Sequence, residues 1–211
     1  MIAGALFNDG GGSNAGRAYI YYGGSSPDNT ADVLLTGAAA DDQFGISVST
    51  AGDVNGDGYS DVIAGANLND ATGTDAGSAY IYFGGSVPNN TADVILSGAA
   101  GDRFGFSVST AGDVNGDGYS DVIAGANLND AGGADAGRSY IYLGGINMDN
   151  TTDAILTGDA AGDQFGFSVS TAGDINGDGY SDVIAGAIGN DAGGSSAGRV
   201  YLYLNSMTGT D

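Results

Sequence analysis

The stretch Phe104-Gly-Phe-Ser-Val-Ser-Thr-Ala-Gly-Asp113-Val-Asn115-Gly-Asp117-Gly-Tyr119-Ser-Asp121-Val-Ile-Ala-Gly-Ala126 joins two strand-like runs through an acidic, glycine-rich loop. In the first run Phe104, Phe106 and Val108 alternate with small or polar residues, the two-residue period of a half-buried strand. The second run is short, apolar and small, which implies crowding near an axis or a neighbouring sheet. The stretch also repeats. Ser109 to Ala131 matches Ser49 to Ala71 letter for letter, and a third copy starts at Ser170, with Ile175 for Val and divergence after Ala187. Asp53, Asp113 and Asp174 stand 60 and 61 residues apart.

Each period carries two further strand-like segments, Arg138-Ser-Tyr-Ile-Tyr-Leu143 and Asp153-Ala-Ile-Leu-Thr157, bounded by Gly, Asn and Asp. Tyr-Ile-Tyr recurs from Tyr19, Tyr80 and Tyr140, with Tyr-Leu-Tyr from Tyr201. No segment has the length and period of a helix. Four short strands per repeat of this length read as one β-propeller blade. A β-helix has much shorter coils, and separate four-stranded domains of this size bury too little alone. The fold expected is all-β, a β-propeller of four-stranded antiparallel blades, with about 3.5 blades in the chain. A partial blade is expected over 1–40, blades over 41–100 and 101–161, and a partial blade over 162–211. The chain starts within a second strand, since Ile2-Ala-Gly-Ala5 matches Ile63 to Ala66, and ends after a third.

Composition removes most chemistries. The 211 residues include 41 Gly and no Lys, Glu, His, Cys or Trp; all 26 acidic residues are Asp, and the four basic residues are Arg17, Arg103, Arg138 and Arg199. Without Cys there is no disulfide framework, thiolate zinc site or thiol nucleophile. Without His the Ser-His-Asp triad and imidazole metal sites are excluded. Without Lys there is no P-loop lysine or Schiff base. A net charge of -22 repels nucleic acid and anionic membranes. No apolar run approaches membrane-spanning length, so neither nucleic-acid binding nor membrane insertion is expected. The N-terminus lacks the pattern of a signal peptide, which fits a segment of a larger secreted protein. What remains for site chemistry is Asp, Asn and backbone carbonyls, hard oxygen donors of the kind calcium takes.

The loop offers such a set. Asp53, Asn55, Asp57 and Asp61 occupy positions one, three, five and nine, and the Tyr59 carbonyl at position seven adds a donor. The copies are Asp113, Asn115, Asp117, Tyr119, Asp121 and Asp174, Asn176, Asp178, Tyr180, Asp182. Gly58 permits a sharp turn after position five. An EF-hand begins alike but needs Glu at position twelve and a helix; Ala64, Ala124 or Ala185 stands there, and a β-type run follows. Asp-Gly and Asn-Gly are ordinary turn formers as well, but a turn does not require four oxygen side chains at fixed offsets three times over. About three Ca2+ ions per chain are expected, which would bring the charge from -22 to -16.

Phe-Gly-Phe-Ser-Val, then Gly-Asp-Val-Asn-Gly-Asp-Gly-Tyr-Ser-Asp, then Val-Ile-Ala-Gly-Ala resembles the FG-GAP repeat of integrin α-subunit β-propellers. The resemblance covers essentially the whole chain. It implies calcium ligation by the loop positions just named, a role in cell adhesion, and an extracellular or cell-surface location. One departure is that Ala66, Ala126 and Ala187 are not followed by Pro, which changes the next loop and leaves the acidic one untouched.

Alternating strands put the acidic loops on one face. Asn69-Asp70, Asn129-Asp130 and Asn190-Asp191, with Asp42, Asp102 and Asp163, fall on the other, next to all four Arg. Such a face suits a glycan or protein ligand, or simply caps its own turns. The function expected is a non-catalytic, calcium-binding module for adhesion or for protein or glycan binding. The alternatives are a purely architectural or designed scaffold with no ligand beyond calcium, and an Asp-based glycosidase or lyase. Catalysis is disfavoured, because near-identical repeats give no carboxyl an environment of its own. Propellers close with four to eight blades, so a homodimer completing one ring is expected.

Overall fold

The computed structural model describes residues 1–25, 28–87 and 89–204. Among them the chain forms fourteen strands and no helix. The first sheet holds β1 (Ile2–Ala5), β2 (Arg17–Ile20) and β3 (Val33–Thr36). The second holds β4 (Val48–Gly52), β5 (Asp61–Ala66), β6 (Ser78–Tyr82) and β7 (Val94–Ser97). The third holds β8 (Phe104–Gly112), β9 (Asp121–Ala126), β10 (Arg138–Tyr142) and β11 (Ala154–Thr157). The fourth holds β12 (Phe165–Gly173), β13 (Asp182–Ala187) and β14 (Arg199–Tyr203). Within each sheet the strands pair antiparallel in sequence order. These open, blade-like sheets are the partial β-propeller expected. Residues 26, 27 and 88 lie outside the described residues, as do 205–211 at the end of the last expected partial blade.

Each sheet is apolar on both faces, and the core lies between consecutive sheets. Tyr80 and Tyr82 point to one side of β6, where they meet Phe44 edge-on at 5.6 and 6.4 Å. Phe104 with Tyr140 and Phe165 with Tyr201 repeat the contact at 5.5 and 5.3 Å. The residue between the tyrosines points the other way. Ile81 is fully buried in a cluster containing Phe104, Val108 and Val122 of the following sheet. The Tyr-Ile-Tyr motif thus serves two interfaces at once, which is what period two in a doubly covered strand requires.

The small residues of the second run have a specific cause. A Cβ at Gly65 would overlap the carbonyl oxygen of Gly105 in the next sheet, and one at Gly125 would overlap that of Gly166. Consecutive sheets therefore touch main chain to main chain at these points. The opening residues of β8 and β12 complete the joint: Phe104 N donates to Ala76 O at 3.0 Å, and Phe165 N to Ala136 O at 2.9 Å.

One strand is shorter than its copies. Regular pairing starts at Phe104 and Phe165 in two sheets but only at Val48 in the second. Phe44 retains a single bridge to Gly16. The rings of Phe106 and Phe167 pack at 4.9 Å; Ile46 replaces that ring in the second sheet, and the sheet before it has no first strand to lie against.

Candidate metal centre

The acidic loop follows a fixed irregularity in the preceding strand. Pairing of β4 with β5 shifts between Thr50 and Gly52. Thr50 Oγ1 accepts from Gly52 N at 3.1 Å and donates to the Asp61 carbonyl at 3.3 Å. Thr110 and Thr171 do the same. This hydroxyl clamp sets where the loop begins.

Within the loop the side chains fold over their own backbone. Asp53 Oδ1 accepts from Gly56 N and Asp57 N at 2.8 and 3.1 Å, and Oδ2 from Gly58 N at 2.9 Å. Asn55 Oδ1 accepts from Asp57 N, and Asp57 Oδ1 from Tyr59 N, both at 2.9 Å. Asn55 Nδ2 donates to Asp57 Oδ2 at 3.0 Å. Gly56 and Gly58 carry φ of +75° and +87°, the left-handed region a side chain would resist. The copies at Asp113, Asn115, Asp117 and at Asp174, Asn176, Asp178 make the same bonds.

Asp61, first residue of β5, differs from the other acids. It is fully buried, and its oxygens accept from Val54 N at 2.8 Å and Gly84 N at 2.7 Å. Asp121 does so with Val114 N and Gly144 N at 2.7 and 2.8 Å, and Asp182 takes Ile175 N at 2.8 Å. Burial raises the Asp61 carboxyl above its ordinary value; the two amide bonds oppose this, and repulsion from Asp57 and Asp53 adds to it. The same causes, burial foremost, push Asp121 up to about 6, with Asp117 and Asp113 as the repelling charges.

The donor set fits a hard divalent cation. It is all oxygen, and Asp53 Oδ2, Asp57 Oδ1 and both Asp61 oxygens each keep a second lone pair beside a single amide bond. The loop gathers Asp53, Asn55 and Asp57 into one turn and sets Asp61 beneath it. It does not bring them to a closed cage: among the described residues no group of three or more acidic side chains is arranged to hold a metal ion. The Tyr59 ring is exposed, whereas Tyr119 and Tyr180 lie against Gly56 and Gly116 of the preceding loops.

That last contact belongs to a clamp between repeats. Ser120 N donates to Asp53 O at 2.9 Å, and Asp53 N to Ser120 Oγ at 3.2 Å. Gly145 N donates to Val54 O at 2.7 Å, and Ser181 N to Asp113 O at 2.8 Å. Loop-to-loop clamping across more than sixty residues leaves no local pattern in the sequence, though the recurrence of Tyr-Ser before each closing Asp is its trace.

On the opposite face, the side chains read as suiting a ligand or capping their own turns are engaged internally. Asn69 Nδ2 donates to Asp42 Oδ2 at 3.0 Å, Asn129 to Asp102 at 2.7 Å and Asn190 to Asp163 at 2.8 Å, all buried. Asp70, Asp130 and Asp191 stay exposed, and each caps its own loop through Oδ1, accepting from Asp75 N, Asp135 N and Ser196 N. Arg199 pairs with Asp159 at 3.4 Å, and Arg138 Nε donates to Thr157 Oγ1 at 3.1 Å.

Blade-like sheets in series, the last three each carrying an oxygen-rich loop between their first two strands, define a propeller-type repeat protein. The FG-GAP repeat model matches residues 44–82, 104–142 and 165–203, more than half of the chain. The chain belongs to the FG-GAP repeat family. It is 33% identical to integrin alpha-5 of Xenopus laevis over 174 residues, covering 77% of this chain and 16% of that protein. It is 33% identical to integrin alpha-PS5 of Drosophila melanogaster over 205 residues, 90% of this chain and 18% of that one. Against human integrin alpha-6 the identity is 32% over 158 residues, 74% of this chain and 13% of that protein. The chain thus spans less than a fifth of the length of these relatives.

Proposed function

We propose that this chain is a non-catalytic, calcium-stabilised propeller segment that displays a binding surface for adhesion to a protein or glycan partner outside the cell. The observation that carries the calcium reading is the buried Asp61 and Asp121, each set beneath two further carboxylates whose charge repels it. Asp53, Asn55, Asp57, Asp61 and the Tyr59 carbonyl would hold one ion, as would the matching residues of the other two loops. A bound calcium ion supplies positive charge to offset that repulsion. Adhesion and an extracellular setting follow from similarity to integrin alpha chains. Among the described residues no helix is long and apolar enough to cross a membrane. A non-catalytic role follows from sameness: three loops with the same bonds give no carboxyl a distinct task.

Calorimetric melting with calcium and with chelator tests the reading. Calcium is expected to raise the melting temperature, and titration to give three sites, falling to two in Asp113→Ala. Melting that is indifferent to both reagents would overturn it. A second reading, a scaffold with no ligand beyond calcium, is favoured by the internal pairing of Asn69 with Asp42 and its copies. Reproducible hits on a glycan array would favour the first reading, and a silent array the second.

A further inference from the structure

The three acidic loops are not separate devices. Ser120 stands between Tyr119 and Asp121, two donor positions of the middle loop. Its main-chain N donates to Asp53 O at 2.9 Å, and its hydroxyl accepts from Asp53 N at 3.2 Å. Asp53 is the first donor position of the preceding loop. A Cβ on Gly52 would overlap the Ser120 side chain, and one on Gly56 the Tyr119 ring, so the flanks of Asp53 are covered as well. A second link runs through the turn after β10. There Gly144 N donates to Asp121 Oδ1 at 2.8 Å and Gly145 N to Val54 O at 2.7 Å. Two neighbouring amides thus hold the buried acid of one loop and the main chain of the other. The joint recurs between the middle and last loops: Ser181, between Tyr180 and Asp182, donates its N to Asp113 O at 2.8 Å, and Tyr180 lies on Gly116.

We infer that the three loops bind calcium cooperatively, each filled loop tightening its neighbour through the Ser120 and Ser181 clamps. The inference rests on the calcium reading and adds to it the coupling between sites. When the Tyr119 carbonyl and Asp121 are drawn onto one ion, Ser120 between them is fixed, and Ser120 fixes Asp53, a donor of the neighbouring site. The Ser120 N to Asp53 O bond is main chain to main chain, so no side-chain rotation absorbs the constraint. The preceding loop then has less ordering left to do on binding, which is positive coupling without a change of fold. Linkage makes the effect reciprocal: each loop helps the other by the same factor. Charge works against it, since a filled loop is less negative and draws the next ion less. Screening over about 8 Å at physiological salt confines that opposition to close range, so the coupling is expected to sharpen as salt is raised.

The test is calorimetric titration of the intact chain with calcium chloride at about 0.15 M salt. Expected are three sites, a Hill coefficient above one and a coupling of at least about fivefold in affinity. Two variants separate coupling from binding. Asp53→Ala disables the first loop and leaves a clamped pair, so the two remaining sites stay cooperative. Asp113→Ala also leaves two sites but removes the loop that joins them, so they titrate independently and more weakly than in the parent. Ser120→Ala keeps every donor of both loops while losing the hydroxyl bond to Asp53. It is expected to retain three sites with a lower Hill coefficient, and it carries the test should loss of Asp113 disturb the fold. Amide exchange reads the clamp directly: in Asp174→Ala, calcium is expected to slow exchange at Ser181, whose own loop no longer binds. Three sites that fill independently, or equal Hill coefficients in Asp53→Ala and Asp113→Ala, would overturn the inference and leave the calcium reading standing. Absence of calcium binding would overturn both.

Discussion

The loops at 113–121 and 174–182 differ in sequence at one position, where Ile175 stands for Val114, yet they occupy different settings. In the middle loop the next repeat covers part of the turn: Gly116 lies under the Tyr180 ring and Gly112 against Ser181, while Gly118 stays open. In the last loop Gly177 and Gly173 face open space. Val114 is 7% exposed and Ile175 57%. The internal hydrogen bonds of the two loops are nevertheless the same. The sequence of the loop dictates its shape; the neighbouring repeat dictates its burial. Asx-type bonds are local and survive at a bare edge, whereas desolvation needs a second sheet.

The largest expected effect is calcium withdrawal. A ligand at a hundredfold excess over its Kd contributes roughly 2.7 kcal/mol per site, or about 5–10 °C in Tm for a chain of this length. The contrast between loops sharpens this: Asp113→Ala is expected to lower Tm more than Asp174→Ala, because the clamped loop carries its neighbour with it. Equal losses would break the comparison.

Next comes the glycine joint. Gly125→Ala would drive a methyl group into the Gly166 carbonyl and is expected to cost about 1–3 kcal/mol. Its counterpart Gly186 meets only the Ser168 side chain and no following sheet, so Gly186→Ala is expected to fall within about 0.5 kcal/mol of the parent. Urea midpoints measure both.

A smaller effect is the pH dependence of the calcium-free protein. Asp121 holds its proton up to about 6 in the fold against an ordinary 3.8. A carboxyl with a raised folded pKa favours the native state while protonated. Its contribution is complete below about pH 4 and is lost as pH climbs through about 6. Asp121→Asn is expected to flatten that part of the stability curve. With calcium present the slope reverses, since the ion requires deprotonated ligands. Smallest is the tyrosine lid: Tyr180→Ala, which uncovers Gly116, is expected to cost about 1 kcal/mol, and the half-exposed Tyr59→Ala less than about 0.5 kcal/mol.

How much was legible follows from the range of each interaction. Strand alternation, the turn at Gly58 and the oxygen spacing from Asp53 to Asp61 are local, and each leaves a periodic imprint. The second-run glycines signalled crowding, and the Gly65 contact with Gly105 is that crowding. Contacts between distant residues left less. The Ser120 clamp on Asp53 was invisible as a contact. Asn69 and Asp42 read as either ligand-facing or turn-capping side chains, and each is the other's partner across 27 residues. The late start of β4 goes with Ile46 in place of the ring and with a preceding sheet that has no first strand.

Joints built from glycine and carbonyl have a consequence for how such a protein arises. Main chain meets main chain at these points and the same Phe and Tyr rings pack beside it in each joint, so a unit can follow a copy of itself without renegotiating its seam. A segment duplicated whole fits at both ends on arrival, and nothing at the seam obliges the copies to diverge. The unaltered recurrence of Ser49 to Ala71 at Ser109 is the kind of history that such tolerance permits.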